Sequence, residues 1–94
     1  MTAFVSLEMT ISREEFLRLL PVAVGQAFAQ EAGCFSGGDG ARRWTLHLRP
    51  LAPRRLGSVG LPCHQVEFCF EGHSESEVME FMARFHRGFQ RGGG

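Results

Sequence analysis

The sequence predicts an α+β protein: a two-layer sandwich in which an antiparallel sheet of three to four strands carries two helices on one face, in the order β-α-β-(β)-β-α. Several stretches alternate between apolar and polar residues with the period of a strand, and two follow the period of a helix. Each element has a single apolar face. Two packed layers bury these faces and leave the other face of the sheet open to water.

The first strand and the first helix are predicted near the N-terminus. Residues 4–11, FVSLEMTI, alternate as a half-buried strand does. Ser12 and Glu15 form a capping box, in which the serine oxygen accepts from the amide of the third helical residue. Because proline disfavours helical angles in the residue before it, we expect this helix to end or kink at Pro21 and the chain to leave through Gly25.

The middle of the chain has a less specific pattern. Residues 26–36 are compatible with one strand, with two short strands around 27–30 and 34–36, or with a loop. Residues 37–40, GGDG, predict a turn, because glycine allows positive φ. The number of strands in this region therefore stays open.

The second half of the chain predicts two further strands and a helix. Residues 42–49, RRWTLHLR, and 65–71, QVEFCFE, alternate again. Between them, residues 50–60, PLAPRRLGSVG, contain two prolines and two glycines, which predicts a loop. The second helix, over residues 75–90, begins with another capping box at Ser74.

The composition is that of one globular domain, residues 1–94, with a frayed glycine tail at 92–94. Hydrophobic residues make up 44% of the chain and charged residues 21%, unlike a disordered protein. The formal net charge of zero argues against nucleic acid or an anionic membrane as partner. Since there is no signal peptide and no apolar run of membrane length, we expect a soluble, cytoplasmic protein without a membrane partner.

Cysteine and histidine cluster in residues 61–73, LPCHQVEFCFEGH. Four side chains there have the chemistry of zinc ligands: Cys63, His64, Cys69 and His73. An extended strand would separate Cys63 from Cys69 by about 20 Å, at about 3.3 Å per residue. Sulfurs so far apart share neither a metal ion nor a disulfide. We therefore predict no metal site and no cofactor.

Cys69 is the thiol for which the sequence suggests a role. The alternation of its strand places it on the open face, between Glu67 and Glu71. Glutamates on both sides oppose formation of a thiolate. A reactive thiol at Cys69 is therefore a secondary hypothesis, and the burial of Cys34 and Cys63 stays open.

Arginine offers a second candidate site. All ten basic residues are arginine, and two adjacent pairs, Arg42-Arg43 and Arg54-Arg55, lie at opposite ends of the strand that contains WTLHLR. Arginine binds phosphate and carboxylate bidentately, so these four residues form a candidate anion-binding set. The strand holds the pairs apart as two small patches. A P-loop is excluded, because the chain has no lysine.

The carboxyl end, RGFQRGGG, finishes on Gly93 and Gly94. A free Gly-Gly end resembles that of the ubiquitin-like sulfur carriers, whose terminal glycine is activated as an adenylate or thiocarboxylate. In that family the glycines leave a strand and the strands before the helix have a different order, whereas here the glycines follow an amphipathic helix. The resemblance covers only these two residues, and a frayed helix end also explains them.

No catalytic constellation is present, neither Ser-His-Asp nor paired carboxylates nor H-E-x-x-H, so we predict a protein that is not an enzyme. Four of its nine phenylalanines are candidates for an apolar surface patch: Phe4, Phe28, Phe35 and Phe89. The leading hypothesis is a small binding domain whose partner is another protein or a second copy. Anion or nucleic-acid binding through the loop arginines is the alternative, and thiol or sulfur-transfer chemistry is the second. No small-molecule ligand or pathway follows from the sequence.

Overall fold

The computed structural model describes residues 2–90. Its elements are β1 Thr2–Met9, α1 Arg13–Val24, β2 Phe28–Glu31, β3 Cys34–Gly38, β4 Arg43–Leu56, β5 Val59–Glu71 and α2 Glu75–Phe89. The strands are antiparallel and form one sheet in the order β1-β5-β4-β3-β2. The predicted α+β class is confirmed, with five strands in place of three to four.

The first and last strands of the chain are neighbours in the sheet. β1 pairs with β5 along its whole length, with Val5 opposite Phe68. α1 carries the chain across to the opposite edge, where β2 begins, and β2 to β5 return as consecutive hairpins. β1 and β2 are consequently the two edges of the sheet.

Residues 26–36 contain two strands, β2 and β3, joined by a tight turn. The turn residues, Ala32-Gly33, have positive φ angles of 47° and 81°, as a type I′ hairpin requires. The predicted glycine turn begins later than expected, because β3 continues to Gly38. Asp39 then stabilises the turn, since its carboxylate accepts hydrogen bonds from two backbone amides at 2.9 and 2.8 Å.

Residues 50–60 form a hairpin, so the prediction of a loop is wrong. β4 continues to Leu56 before the chain turns into β5. Pro53 is tolerated because it lies in a β-bulge between Leu51 and Arg54, where two residues of β4 face one of β5. We call residues 52–62 the arm; positions 52–60 are exposed without interruption.

We expected α1 to end or kink at Pro21. It does not end there but continues to Val24, and the chain leaves the helix through Gly25, as predicted. Gly25 has the left-handed backbone of a helix C-cap, with φ 66°, and its amide donates to the Pro21 carbonyl at 3.1 Å. The last turn stays helical because Leu20, Ala23 and Val24 are buried. Packing of an apolar face outweighs a local preference of this size.

α2 begins with the predicted capping box. Ser74 Oγ accepts from the Glu77 amide at 3.2 Å, and Glu77 Oε1 accepts from the Ser74 amide at 2.7 Å. The helix ends at Phe89, with Gln90 as its C-cap. The frayed tail predicted at 92–94 lies outside the described residues. In the part of the chain that the structure describes, neither helix has the length and apolar character to cross a membrane.

Both helices pack on the same face of the sheet around a cluster of aromatic rings. Phe85 of α2 contacts Phe68 of β5 with ring centroids 4.9 Å apart, and Phe16 of α1 contacts Phe35 of β3 at 6.3 Å. All four rings are at most 2% exposed. The core therefore lies between the two helices and the three central strands, and the other face of the sheet is left uncovered.

Candidate functional site

We call the face of the sheet that the helices leave uncovered the open face. Its side chains alternate with the buried ones along each strand. On the three long strands it carries Phe4, Ser6, Glu8, Gln65, Glu67, Cys69, Thr45, His47 and Arg49.

The charges of the open face compensate one another. Arg49 Nε lies 2.8 Å from Glu67 Oε1, and His47 lies opposite Glu67 in the β4–β5 ladder. Arg43 lies opposite Glu71 in the same ladder. A face of mixed charge suits exposure to water and offers no extended surface of one sign.

β1 is a long edge strand without the usual protection. Within residues 2–90 it pairs only with β5, without a register shift, and it contains no proline and no basic residue. Natural edge strands are commonly blocked by short length, proline, bulges or inward charges. The opposite edge, β2, is only four residues long and ends on Glu31. β1 therefore presents an accessible row of backbone donors and acceptors.

The apolar inner side of β1 is only partly covered. Four apolar side chains of this strand are half buried against the core: Ala3, Val5, Leu7 and Met9. On the neighbouring strand β5, in contrast, Val66, Phe68 and Phe70 are at most 2% exposed. Coverage by the helices thus declines toward the β1 edge, and a further strand placed there would bury more apolar surface.

Phe4 is exposed and lies outside the hydrophobic core. Its side chain lies on the open face of β1 and is 77% exposed. Phe35 is fully buried, and Phe28 and Phe89 are half buried against the core. Of the four phenylalanines predicted to form an apolar surface patch, only Phe4, on the edge strand, is exposed.

The four predicted anion-binding arginines lie at the two ends of β4 and do not converge. Arg42 Nε lies 2.7 Å from Glu77 Oε2, and Arg54 Nη2 lies 3.8 Å from Glu8 Oε2. Within residues 2–90, Arg43 and Arg55 form no ion pair. Anion binding by these residues stays a prediction.

A groove of about 540 Å³ beside α2 brings other arginines close to Arg42. Its charged lining is mixed: Arg42, Arg84, Arg87, Glu77 and Glu80. The hydrogen bond from the Ser74 amide, together with the charge of Arg42, holds the pKa of Glu77 below its ordinary value. Because carboxylates alternate with guanidinium groups, the groove presents no site of one sign.

The cysteines and histidines of residues 61–73 do not converge either. Cys63 is buried, and the imidazoles of His64 and His73 lie within hydrogen-bonding distance of backbone carbonyls, at 2.8 and 3.1 Å. Across the described residues, no three metal-ligating side chains are grouped. Cys63, His64 and His73 therefore occupy three separate local environments and do not form a joint site.

Cys69 occupies the position that the alternation predicts. It is half buried on the open face, with Phe4 and Thr45 as its cross-strand neighbours. No imidazole or arginine lies opposite it in either ladder. The reactivity of this thiol stays a prediction.

The open face also contains a cysteine–histidine pair that sequence reasoning missed. Cys34 Sγ lies 3.7 Å from His47 Nε2, and the two residues face each other in the β3–β4 ladder. Cys34 is half buried in a strand, which resolves the question of its burial. The two residues are 13 positions apart in the chain, so only the register of the hairpin brings them together.

Comparisons with protein-family models, with curated proteins and with solved structures found no match. The class that the structure defines is an α+β protein with a five-stranded antiparallel sheet, one face of which is covered by two helices. Its function is therefore inferred from the residues of β1, the open face and the arm.

Proposed function

We propose that this protein is a self-associating binding domain, not an enzyme, in which β1 pairs antiparallel with β1 of a second copy. The observation that carries this proposal is the free edge of β1, eight residues long and flanked by apolar side chains that are only half buried. Pairing of two such edges joins two sheets into one, which is a recurrent mode of recognition by strand addition.

The sequence of β1 is complementary to itself in this arrangement. With a two-fold axis at Val5, Ala3 of one copy faces Leu7 of the other, and Phe4 faces Ser6. The period of two keeps inner residues opposite inner residues. Such a ladder forms roughly six backbone hydrogen bonds between the copies and covers the half-buried inner side chains of both.

The charges of the strand favour the same arrangement. β1 carries one charged residue, Glu8, near its end. An antiparallel pairing places the two copies of Glu8 at opposite ends of the ladder, where each has Arg54 of its own chain at 3.8 Å. Because the formal net charge is zero, two copies approach without overall repulsion.

The proposal includes a cytoplasmic location. The three cysteines, Cys34, Cys63 and Cys69, are all free. The free thiols of Cys34 and Cys69, half buried on the open face, suit a reducing compartment, where they stay unoxidised.

Sedimentation velocity over a range of protein concentrations tests the pairing. We expect the wild type to form dimers that dissociate on dilution and Val5→Lys to be monomeric, because the substitution sets two inward-facing charges against each other at the axis. Val22→Lys is the matched control, since Val22 is 76% exposed on α1 and the same charge there leaves the dimer intact. Circular dichroism checks that each variant is folded.

Phe4→Lys is a second variant that spares the core, because Phe4 is 77% exposed. It places a lysine on the edge strand and should also weaken the dimer. A wild type that is monomeric at every concentration would overturn the proposal. So would a Val22→Lys variant that dissociates as readily as Val5→Lys.

Anion or nucleic-acid binding is the second candidate, and the exposure of the arm favours it. Arg54 and Arg55 lie in the arm, both exposed. The discriminating measurement is the binding of a short oligonucleotide at low and high salt. Binding that disappears in an Arg54→Ala/Arg55→Ala double variant, but persists in Arg42→Ala/Arg43→Ala, would support it. Absence of binding at low salt would exclude it.

A further inference from the structure

One row of open-face side chains crosses the whole sheet at a single register. It consists of Glu31 on β2, Cys34 on β3, His47 on β4, Glu67 on β5 and Ser6 on β1. In this row the sulfur of Cys34 and Nε2 of His47 are 3.7 Å apart. His47 is exposed and Cys34 half buried, so a small reagent in solution can reach the pair.

Charged groups approach the pair from each neighbouring strand. Glu67 lies opposite His47 in the β4–β5 ladder, and its carboxylate also pairs with Arg49 at 2.8 Å. Glu31 lies opposite Cys34 in the β2–β3 ladder and places a carboxylate on that side of the pair. The distance of 3.7 Å thus places a proton acceptor, Nε2 of His47, beside the thiol, and Glu31 adds a negative charge opposite the sulfur.

We propose that Cys34 is a reversible thiolation site, which exchanges with low-molecular-weight disulfides and uses His47 to accept the thiol proton. With the ring proton on Nδ1, Nε2 of His47 is free to take the proton of the S–H group. The Cys34 thiolate attacks one sulfur of the disulfide, so that a new S–S bond forms as the old one breaks. The departing thiolate takes the proton from His47. Cys34 is thereby oxidised to a mixed disulfide, and the other half of the reagent is reduced to a thiol.

This chemistry does not depend on the pairing of β1. Cys34 lies on β3, three strands away from β1 in the sheet. The exchange is expected in monomer and dimer alike, and in the Val5→Lys variant as in the wild type. Failure of one proposal therefore leaves the other standing.

The chain supplies two internal controls for the reactivity of Cys34. Cys69 is half buried on the same face, but its cross-strand neighbours are Phe4 and Thr45 instead of an imidazole. Cys63 is buried, with 5% exposure. Differences in rate between the three thiols of one molecule report their surroundings, since reagent and conditions are shared.

The experiment uses 5,5′-dithiobis(2-nitrobenzoate), a small aromatic disulfide, on the folded protein at neutral pH, with peptide mass mapping of each cysteine over time. We expect Cys34 to react first. His47→Gln should slow Cys34 by about tenfold or more and leave Cys69 unchanged, because only the proton acceptor beside Cys34 is lost. Glu31→Gln should speed Cys34, since the opposing charge is removed.

Two results would overturn the proposal. One is a Cys69 that reacts as fast as Cys34 in the folded wild type. The other is a rate for Cys34 that His47→Gln leaves unchanged. Because His47 is exposed, this variant should keep the fold, and circular dichroism checks it. Dithiothreitol should restore the free thiol, which shows that the modification is reversible.

Discussion

Glu77 makes two contacts at the start of α2. Its carboxylate accepts a hydrogen bond from the Ser74 amide at 2.7 Å and lies 2.7 Å from Arg42 Nε, just before β4. The pKa of Glu77 is consequently lowered from its ordinary value of 4.5. The pKa of Asp39 is lowered from 3.8, chiefly because its carboxylate accepts from the backbone amides of Arg42 and then Ala41. The two carboxylates stabilise the fold in their charged form.

Stability should therefore fall as the pH is lowered below the ordinary value of 4.5 for Glu77. Below pH 4.5 the unfolded chain binds a proton at Glu77 that the folded chain does not yet bind. The stabilisation that is present above pH 4.5 is therefore lost as the pH falls through the lower pKa of Glu77 in the folded protein. Urea unfolding between about pH 6 and about pH 3 measures this loss. In Glu77→Gln, whose side chain can still cap the helix, we expect a shallower loss.

Glu75→Gln is the control for this experiment. Glu75 lies in the same first turn of α2, but among the described residues its side chain makes no hydrogen bond to the cap amide. Its substitution should leave most of the acid dependence in place. If the free energy of unfolding fell equally steeply with decreasing pH in the wild type and in Glu77→Gln, the assigned role of Glu77 would be contradicted.

The two helices approach each other closely at Gly88 of α2. A Cβ atom on Gly88 would lie 2.4 Å from Ala23 Cα and 2.6 Å from Ala23 Cβ. This approach brings Phe85 and Phe89 of α2 to ring distances of 6.4 and 5.1 Å from Phe16 of α1. The small size of Gly88 thus sets how the aromatic rings of the core meet.

Gly88→Ala should destabilise the protein by roughly 1–3 kcal/mol, because the added methyl group overlaps the backbone of α1. Helix propensity alone would make Gly88→Ala stabilising, because it favours alanine over glycine by about 1 kcal/mol. The expected change in stability therefore has the opposite sign. Chemical denaturation measures the effect. Ala83→Gly, at an exposed position of the same helix, reports propensity alone and should cost about 1 kcal/mol. A Gly88→Ala variant as stable as the wild type would contradict the close contact.

The whole molecule is elongated, with dimensions of 48 × 28 × 21 Å. β4 accounts for the long axis, since its 14 residues at about 3.3 Å each span roughly 46 Å. The arm at one end of this axis is exposed, whereas β1 runs beside β5 against the core. The two candidate binding surfaces therefore differ in kind: β1 offers backbone hydrogen bonds and a partly covered apolar side, and the arm offers arginine side chains.

Pairing of β1 with a second copy makes thermal stability depend on protein concentration. Since only folded chains form the dimer, the Tm of the wild type should rise with concentration, and that of Val5→Lys should not. Joining Leu51 to Cys63 through Asn-Gly removes the arm, including the Arg54 contact to Glu8. This variant should keep most of the concentration dependence, because the arm contributes no backbone pair to the β1 ladder. Differential scanning calorimetry measures both. A concentration-independent Tm in the wild type would contradict the dimer.

The sequence predicts the capping box of α2 correctly and misjudges Pro21 and residues 50–60, where a local signal meets tertiary packing. Ser74 and Glu77 meet within one turn of helix, so their capping box can be read from their spacing. Pro21 and the prolines of residues 50–60 signal breaks that do not occur. Burial of the last turn of α1 outweighs the local preference at Pro21, and a β-bulge accommodates Pro53.

By itself, the sequence determined the α+β class, the buried sides of β1, β4 and β5, and the placement of Cys63 and Cys69 on one extended segment, because these depend on residues a few positions apart. Only the tertiary structure decided the order and the register of the strands. That order makes β1 an edge, and that register sets Cys34 against His47. Long-range pairing costs chain entropy that the whole core offsets, so no short pattern of residues specifies it.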